Sequence, residues 1–251
     1  IERYREPLLA ALVEQLQPRG ILLRGDSRSR REQGLAGGAE VVYGEVPEQV
    51  PLEENGVRFL APVHGGQKTG WFYDHRMSRA RLAAWVGGKS VLDVYSYIGG
   101  WGIQAAAFGA SAVCCLDSSA QALEGVMANA QLNGLQDRVT TLRGSAPETM
   151  AELRSQGRQF DVVILDPPAF IQRRKDLKKG ITAYRRINEL GLQLLHPGGL
   201  LVAGSCSMHL SRADLISAMQ QAAVRAGCQL RVVEQGAQGP DHPIHPAIPE
   251  T

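Results

Sequence analysis

The sequence predicts an α/β fold, in which a parallel β-sheet with helices on both faces follows a small α/β domain. From residue 90 onward, short apolar segments alternate with helical segments. Three glycines, at 99, 100 and 102, directly follow the first apolar segment. Acidic residues end or follow three apolar segments, at Asp93, Asp117 and Asp166. Strands that alternate with helices form parallel sheets, which bind ligands at the carboxyl ends of their strands.

The composition is that of a globular protein. The chain has 251 residues, of which 44% are hydrophobic and 21% charged, and its net charge of +2 does not indicate a partner. It contains no membrane-length apolar run and no signal peptide, so we expect a cytoplasmic protein without a membrane partner. The first residue is Ile1 rather than Met, which suggests a fragment of a longer protein.

The four cysteines have no zinc-like spacing, so we expect reduced thiols and no metal site. Cys114 and Cys115 fall within a predicted core strand, and together with Cys228 we expect them to be buried structural residues. Cys206 follows another predicted strand and lies between two serines, which makes it the candidate functional cysteine.

Residues 1–68 are predicted to form the small α/β domain, which we expect to contact RNA or another substrate. Leucines and a valine recur at helical spacing over residues 4–16, which predicts an amphipathic helix. The basic segment 24–32 is predicted to be a loop, and prolines at 47 and 51 to mark a connection. The strands predicted in this domain are Gly20–Leu23, Glu40–Tyr43 and Val57–Ala61.

Residues 69–251 are predicted to form the larger domain. Its first helix, Met77–Trp85, ends at two glycines. The strands predicted after it are 90–94, 112–116, 138–142, 161–165, 199–204 and 229–234. The predicted helices are 102–108, 119–132, 146–155, 181–195 and 211–226.

The turn after the first predicted strand is a candidate ligand site. Its glycines allow a close backbone approach, although their spacing matches neither the dinucleotide motif nor a P-loop. Asp117 ends the next strand, where a carboxylate can bind the two hydroxyls of a ribose. Acids at such positions also serve as plain N-caps, and that interpretation stays open.

Several segments together resemble the class I S-adenosylmethionine-dependent methyltransferases, and within them the bacterial 5-methylcytosine methyltransferases of large-subunit ribosomal RNA. The matching segments are residues 70–76, the glycine turn, residues 166–170, residues 204–207 and residues 241–243. The resemblance implies a Rossmann-like sheet, S-adenosyl-L-methionine as cofactor and ribosomal RNA as partner. In that family an RNA-binding module usually precedes such a region and a last strand follows it.

The resemblance also implies a set of cofactor-binding residues. Asp93 would bind the methionine amino group, and Ser145 would replace, more weakly, the acid that meets the adenine amine. The full set implied is Phe72, Asp74, Arg76, Asp93, Ser96, Tyr97, Gly99, Gly100, Asp117, Ser118, Ser145 and Asp166.

Residues 166–170, Asp-Pro-Pro-Ala-Phe, leave two chemistries open. In relatives that methylate an exocyclic amine, such a turn holds the amine while its aromatic residue stacks on the base. In relatives that methylate cytosine carbon, the acid contacts the ring nitrogen. Phe170 can also be a core residue beside prolines that only stiffen the turn. The substrate-binding candidates in this turn are Pro167, Pro168 and Phe170.

Cys206 favours carbon methylation. Carbon 5 of cytosine becomes nucleophilic enough only when a thiolate adds to carbon 6, so the reaction needs a cysteine. We therefore expect Cys206 and Asp166 to be the catalytic residues. The turn has no second cysteine to help release the product, so another base would have to do so.

A basic run at residues 171–186 directly follows this turn. It contains a single acid, Asp176, and we expect it to contact RNA phosphates rather than form only a solvated face. The phosphate-binding candidates are Arg173, Arg174, Lys178 and Lys179.

Two rival functions stay open. One is a methyltransferase acting on guanine or an exocyclic amine through the same turn, and the other is a cofactor- and RNA-binding protein without turnover. The sequence leaves the oligomeric state open as well, with a homodimer among the alternatives.

Overall fold

The computed structural model describes residues 2–25, 34, 37–65, 70–243, 245 and 247. The chain divides into two compact units, residues 1–51 with 61–71 and residues 52–60 with 72–251. The predicted boundary after residue 68 stays a prediction. Arg28, Arg30 and Arg31, which we predicted in a basic loop, lie outside the described residues.

The first unit begins with a helix, as predicted. The helix α1 spans Arg5–Leu16, but it buries none of its residues, and Leu8, Leu12 and Leu16 are 46%, 41% and 68% exposed. Strands β1, Gly20–Arg24, and β2, Ala39–Gly44, pair antiparallel. A second two-stranded sheet pairs β3, Gln49–Glu54, with β4, Val57–Pro62, and residues 52–60 of this hairpin belong to the second unit. The connection predicted at Pro51 is wrong, because Pro51 lies in β3, and proline is tolerated in such edge strands.

The second unit contains the predicted parallel sheet. Its strands are β5 (Ser90–Val94), β6 (Ala112–Asp117), β7 (Val139–Arg143), β8 (Phe160–Leu165) and β9 (Leu195–Ala203). Its helices are α2 (Arg76–Arg81), α3 (Gly102–Ala107), α4 (Ala120–Leu132), α5 (Ala146–Ser155), α6 (Leu177–Gln193) and α7 (Arg212–Ala226). Short 3-10 turns span Leu82–Ala84 and Arg174–Asp176.

The strand order is β7-β6-β5-β8-β9, and all neighbouring strands are parallel. The central strands are Val-, Ile- and Leu-rich and almost wholly buried, as expected for strands covered on both faces. The order reverses between β5 and β8, which creates a crevice at their carboxyl ends. The predicted α/β fold is confirmed.

The strand predicted at residues 229–234 is wrong. Among the described residues this segment pairs with no strand, and Val232 and Val233 are 55% and 62% exposed. Apolar alternation can predict a strand, but without a hydrogen-bonded neighbour the segment stays irregular. Cys228, which lies between the end of α7 and this segment, is exposed rather than buried, because the strand predicted to carry it into the core does not form.

Candidate functional site

A buried carboxylate, that of Asp93, lies beside the glycine turn. Asp93 in β5 is wholly buried, and its Oδ2 accepts a 2.8 Å hydrogen bond from the Gly102 N–H at the start of α3. A Cβ on residue 102 would lie 2.9 Å from that oxygen and 2.5 Å from the Cys115 Sγ, so only glycine allows this approach. The other oxygen, Oδ1, has no hydrogen-bond partner among the described residues.

Burial raises the pKa of Asp93 to about 7, and the nearby carboxylates of Asp166 and Asp117 contribute, against the opposing effects of Gly102 and Arg79. An orphaned buried oxygen whose negative charge lacks a counterion is suited to an ammonium ligand. Ser96, two residues beyond β5, is also buried, and its Oγ has no partner among the described residues. Polar capacity therefore remains for a ligand at the turn.

The backbone of the turn is strained on both sides of Ser96. Tyr95 and Tyr97 have φ values of 66° and 49°, which place two bulky residues in the left-handed region. Asp117 at the end of β6 fixes this conformation, because its Oδ2 accepts a 2.9 Å bond from the Tyr97 N–H. Such strain is typical of functional sites.

Asp117 also borders a small recess of about 230 Å³. Its Oδ1 accepts a 2.9 Å bond from the Ser119 N–H, so the carboxylate is oriented by two backbone donors. Ser145, the N-cap of α5, also lines the recess, and its side chain makes no capping bond. The residues that line the recess are Tyr95, Leu116, Asp117, Ser118, Gly144, Ser145, Ala146 and Pro147.

The predicted segment 72–76 lies beside the glycine turn, with the Phe72 ring edge-on to Tyr97 at 5.8 Å between centroids. Arg79 of α2 donates a 2.5 Å bond to the Phe72 carbonyl. Asp74 has a buried Oδ1 without a partner in the described part of the chain. Arg76, whose contact with the cofactor stays a prediction, forms a 2.9 Å ion pair with Asp241.

Arg79, which contacts this segment through the Phe72 carbonyl, also forms a buried ion pair that was not predicted from the sequence. Arg79 and Glu54 are 3% and 1% exposed, and they pair through bonds of 2.6 and 3.0 Å. Gln104 donates a 2.9 Å bond to the same Glu54 carboxylate and a 3.0 Å bond to the Gly100 carbonyl. A buried pair with such additional bonds fixes a geometry, and removing one partner is strongly destabilising.

Asp166 follows β8 on the other side of the crevice. Its Oδ2 accepts a 2.9 Å bond from the Trp101 indole N–H, and its Oδ1 lies 3.5 Å from the His75 Nε2. Burial by itself would raise the pKa of Asp166, but the contact with His75, its charge and the Trp101 bond outweigh burial and lower the pKa. Asp166 is therefore an oriented anion, unlike Asp93.

The loop after β9 brings Cys206 to the same turn. Cys206 is exposed, and its Sγ lies 3.7 Å from the carbonyl oxygen of Pro167. The loop is anchored by the buried Tyr184 of α6, whose hydroxyl bonds Ser205 and Ser207 at 2.9 and 2.8 Å. Ser207 also accepts a 3.1 Å bond from the Ile171 N–H. The thiol thus has a fixed place beside the proline turn.

The other predicted substrate residues lie around this turn. Pro168 is exposed, whereas Phe170 is half-buried and packs against Tyr184 at 4.9 Å between ring centroids. Contact of Phe170 with a base stays a prediction. The basic run begins in the loop and 3-10 turn before α6 and continues along that helix, and its exposed candidates are Arg173, Arg174, Lys178 and Lys179.

No helix among the described residues is long and apolar enough to cross a membrane. None of their His, Cys, Asp and Glu side chains form a group of three or more suited to a metal ion.

A doubly wound sheet with acids at its strand ends and a strained glycine turn defines an α/β domain that binds a nucleoside-containing ligand. The sequence matches the family described as S-adenosylmethionine-dependent methyltransferase over residues 16–248. The chain belongs to this family, and S-adenosylmethionine is its cofactor. The predicted cofactor is thereby confirmed.

Curated relatives and solved structures agree with this assignment. The chain is 38% identical to the ribosomal RNA large subunit methyltransferase I of Shewanella amazonensis and 38% identical to that of Vibrio parahaemolyticus. These alignments cover 98% and 99% of the chain, but only 63% and 64% of the relatives' length.

The solved structure of SMU.776, described as a methyltransferase complexed with SAH, matches 99% of this chain and 63% of its own chain. Its TM-score is 0.84 and its identity 22%, which shows the shared fold. A methyltransferase structure from Agrobacterium tumefaciens matches 74% of this chain and 61% of its own, with TM-score 0.60 and 21% identity.

The residues present fit the cofactor. The orphaned Asp93 Oδ1 and Ser96 Oγ offer acceptors for an ammonium group, and the recess beside Asp117 and Ser145 offers space for a nucleoside. When bound, S-adenosylmethionine supplies a methyl group carried on a sulfonium sulfur.

Proposed function

We propose that this chain is the catalytic part of an RNA methyltransferase that forms 5-methylcytosine in large-subunit ribosomal RNA. The observation that carries the proposal is the exposed Cys206 thiol, 3.7 Å from the Pro167 carbonyl in the turn that begins at Asp166. The names of the curated relatives support ribosomal RNA as the substrate. A cytosine inside a helix would have to flip out to reach the turn.

The two catalytic residues have complementary roles. The Cys206 thiolate adds to carbon 6 of the cytosine, and the displaced π electrons make carbon 5 nucleophilic. As the thiolate adds, the cytosine ring nitrogen takes a proton from solvent. The anionic Asp166 carboxylate retains acceptor capacity beyond its contacts with Trp101 and His75, and accepts a hydrogen bond from this N–H. After methylation, loss of the carbon 5 proton to a base expels the thiolate, and the ring nitrogen returns its proton to solvent, which restores the ring.

The rival amine methylation has less support. Amine methylation through this turn would use Phe170 as a stacking platform, yet Phe170 already packs in a cluster with Tyr184, Ile171 and Ala218. It would also leave the anchored Cys206 without a role. Carbon methylation uses the Cys206 thiol and does not require Phe170 to stack on the base.

Covalent trapping tests the proposal. RNA that carries 5-fluorocytosine at the target should form an adduct that survives denaturation, because fluorine cannot leave carbon 5 as a proton does. The adduct should form with the unsubstituted protein and with Cys228→Ser, which removes another exposed thiol, but not with Cys206→Ser. If the unsubstituted protein forms no adduct on a substrate it binds, the cytosine assignment is wrong.

RNA binding through the basic run gives a second prediction. Arg173, Arg174, Lys178 and Lys179 are exposed beside the candidate turn, so we expect them to neutralise phosphates. Replacing all four with Gln should weaken binding for all RNA sequences and flatten the salt dependence by roughly one unit of slope per lost contact. The measurement is RNA affinity across a salt titration.

The control for this experiment removes charge from another surface. Arg225 and Arg231 are exposed near the end of α7 and in the segment after it, outside the basic run. Their replacement with Gln should leave the salt slope nearly unchanged. Equal slopes for the parent and the four-residue variant would show that the run is only a solvated face.

A further inference from the structure

Asp166 is held by two ring nitrogens that come from different parts of the second unit. The Trp101 indole, in the glycine turn, donates to Oδ2 at 2.9 Å, and His75 Nε2, just before α2, lies 3.5 Å from Oδ1. One carboxylate oxygen therefore accepts a hydrogen bond, and the other faces His75 at ion-pair distance without hydrogen-bond geometry. Rotation of the carboxylate would break both interactions at once.

His75 is itself held in place. Its ring packs against Trp101 with 5.7 Å between centroids, and the Arg79 guanidinium lies 5.9 Å from the same indole. Arg79 is fixed in turn by its buried pair with Glu54. The Trp101 ring and the buried Arg79–Glu54 pair thus set the position of His75 relative to Asp166.

The charged groups that face His75 are Asp166, Asp74 and Arg79. Burial lowers the pKa of His75, and Arg79 acts in the same direction, but the contact with Asp166 and the charges of Asp166 and Asp74 outweigh them and raise it. A protonated His75 and an ionised Asp166 therefore stabilise each other. Protonation of His75 therefore favours the ionised carboxylate of Asp166.

We infer that His75 is a positioning residue that holds the Asp166 carboxylate ionised and oriented toward the pyrimidine ring. The inference rests on the proposed cytosine methylation, in which an oriented anion accepts a hydrogen bond from the protonated ring nitrogen. His75 need not touch the substrate, because it acts through Asp166. A shift of the carboxylate by about 1 Å can reduce a rate by roughly 10²-fold.

Two substitutions of His75 distinguish the contribution of its N–H donor from that of its aromatic ring. His75→Phe keeps an aromatic ring against Trp101 but removes the donor, whereas His75→Gln keeps a donor that cannot titrate. Single-turnover methyl transfer to unmodified large-subunit ribosomal RNA, transcribed in vitro, is measured against pH at saturating cofactor. We expect His75→Phe to slow transfer by about 10²-fold and His75→Gln to restore most of the rate.

The pH profile distinguishes positioning from mere packing. The unsubstituted enzyme should lose rate as the pH rises through the pKa of His75, because the ion pair with Asp166 is then lost. His75→Gln should lack this alkaline decline. Cofactor affinity, measured by calorimetry, should change less than threefold in both variants.

Three results would contradict the inference. One is an unchanged rate for His75→Phe, and another is an affinity loss that accounts for the whole rate effect. The third is a methyl-transfer rate that still declines at alkaline pH in His75→Gln. This result serves as the test even if His75→Phe fails to fold. If the 5-fluorocytosine adduct forms normally, these results overturn the inference alone, whereas absence of any adduct with the unsubstituted enzyme overturns the proposed function.

Discussion

Replacement of Cys206 by Ser should abolish methyl transfer, reducing the single-turnover rate by at least about 10³-fold, because a hydroxyl is a far poorer nucleophile near neutral pH. The substitution replaces only the sulfur atom, with oxygen. It should leave the fold intact, since the exposed Cys206 side chain is not part of the buried core. The backbone of its loop stays anchored through Ser205, Ser207 and Tyr184.

Cofactor binding separates a chemical defect from a structural one. Cys206 lies at the proline turn, whereas the positions that we propose for the cofactor's ammonium group and nucleoside lie at Asp93 and beside Asp117. Calorimetry should therefore give the same cofactor affinity for Cys206→Ser as for the parent. Cys228→Ser, the matched control, should retain both affinity and rate. Full activity of Cys206→Ser would favour the rival amine methylation.

Replacement of Asp93 by Asn should raise the stability of the ligand-free protein at neutral pH and nearly abolish cofactor binding. An Asn oxygen can still accept the Gly102 N–H bond, but the buried negative charge is gone. The pKa of Asp93 is raised by burial from 3.8 to about 7, so between these values the folded state binds the proton that the unfolded state releases. Through this group, stability falls as pH rises from about 4 to 7 and is then constant.

The stability of Asp93→Asn relative to the parent should accordingly grow by about 2–3 kcal/mol between pH 5 and pH 7, at about 1.4 kcal/mol per pH unit. Urea unfolding at several pH values measures this difference. Asp161→Asn, a substitution of a carboxylate that bonds Ser90, should not show the same trend. A constant difference between Asp93→Asn and the parent over this range would contradict the raised pKa.

Cofactor affinity provides the second half of this test. Loss of the carboxylate leaves a buried ammonium without its counterion, which reduces affinity by roughly 10²-fold or more. In the parent, affinity should increase as pH rises through about 7, because Asp93 must lose its proton to pair with the ammonium. Binding should therefore release protons into the buffer, and calorimetry in two buffers of different ionisation enthalpy would detect them.

Local patterns in the sequence predicted the sheet and its acids. The strands β5, β6 and β8 are short apolar runs that end at or beside Asp93, Asp117 and Asp166. Continuous apolar runs of this length are typical of strands that are buried on both faces. The predicted strand began only at residue 199, whereas β9 begins at Leu195 and contains Pro197 and two glycines, which are uncommon inside strands. The strand tolerates them next to an irregularity in its pairing with β8.

The supports of the site could not be predicted, because they depend on contacts between distant segments. The pair Glu54–Arg79 joins β3 to α2, and neither residue differs in its local pattern from an exposed charge. His75 and Trp101 stand within the segments that carried the resemblance, but only the fold shows that both contact Asp166. An isolated histidine or tryptophan in a sequence gives no sign of its partner.

The hydroxyl of Tyr184 has a consequence for substrate choice. It ties the loop that carries Cys206 to α6, the same helix whose first turns carry Lys178 and Lys179. The backbone that carries the thiol is therefore linked to the backbone that carries these cations. Under the proposed function, this link sets the distance along the RNA between the phosphate bound by these lysines and the flipped cytosine. A cytosine presented at another spacing from the backbone would be held out of reach of the thiol, whatever its neighbouring bases.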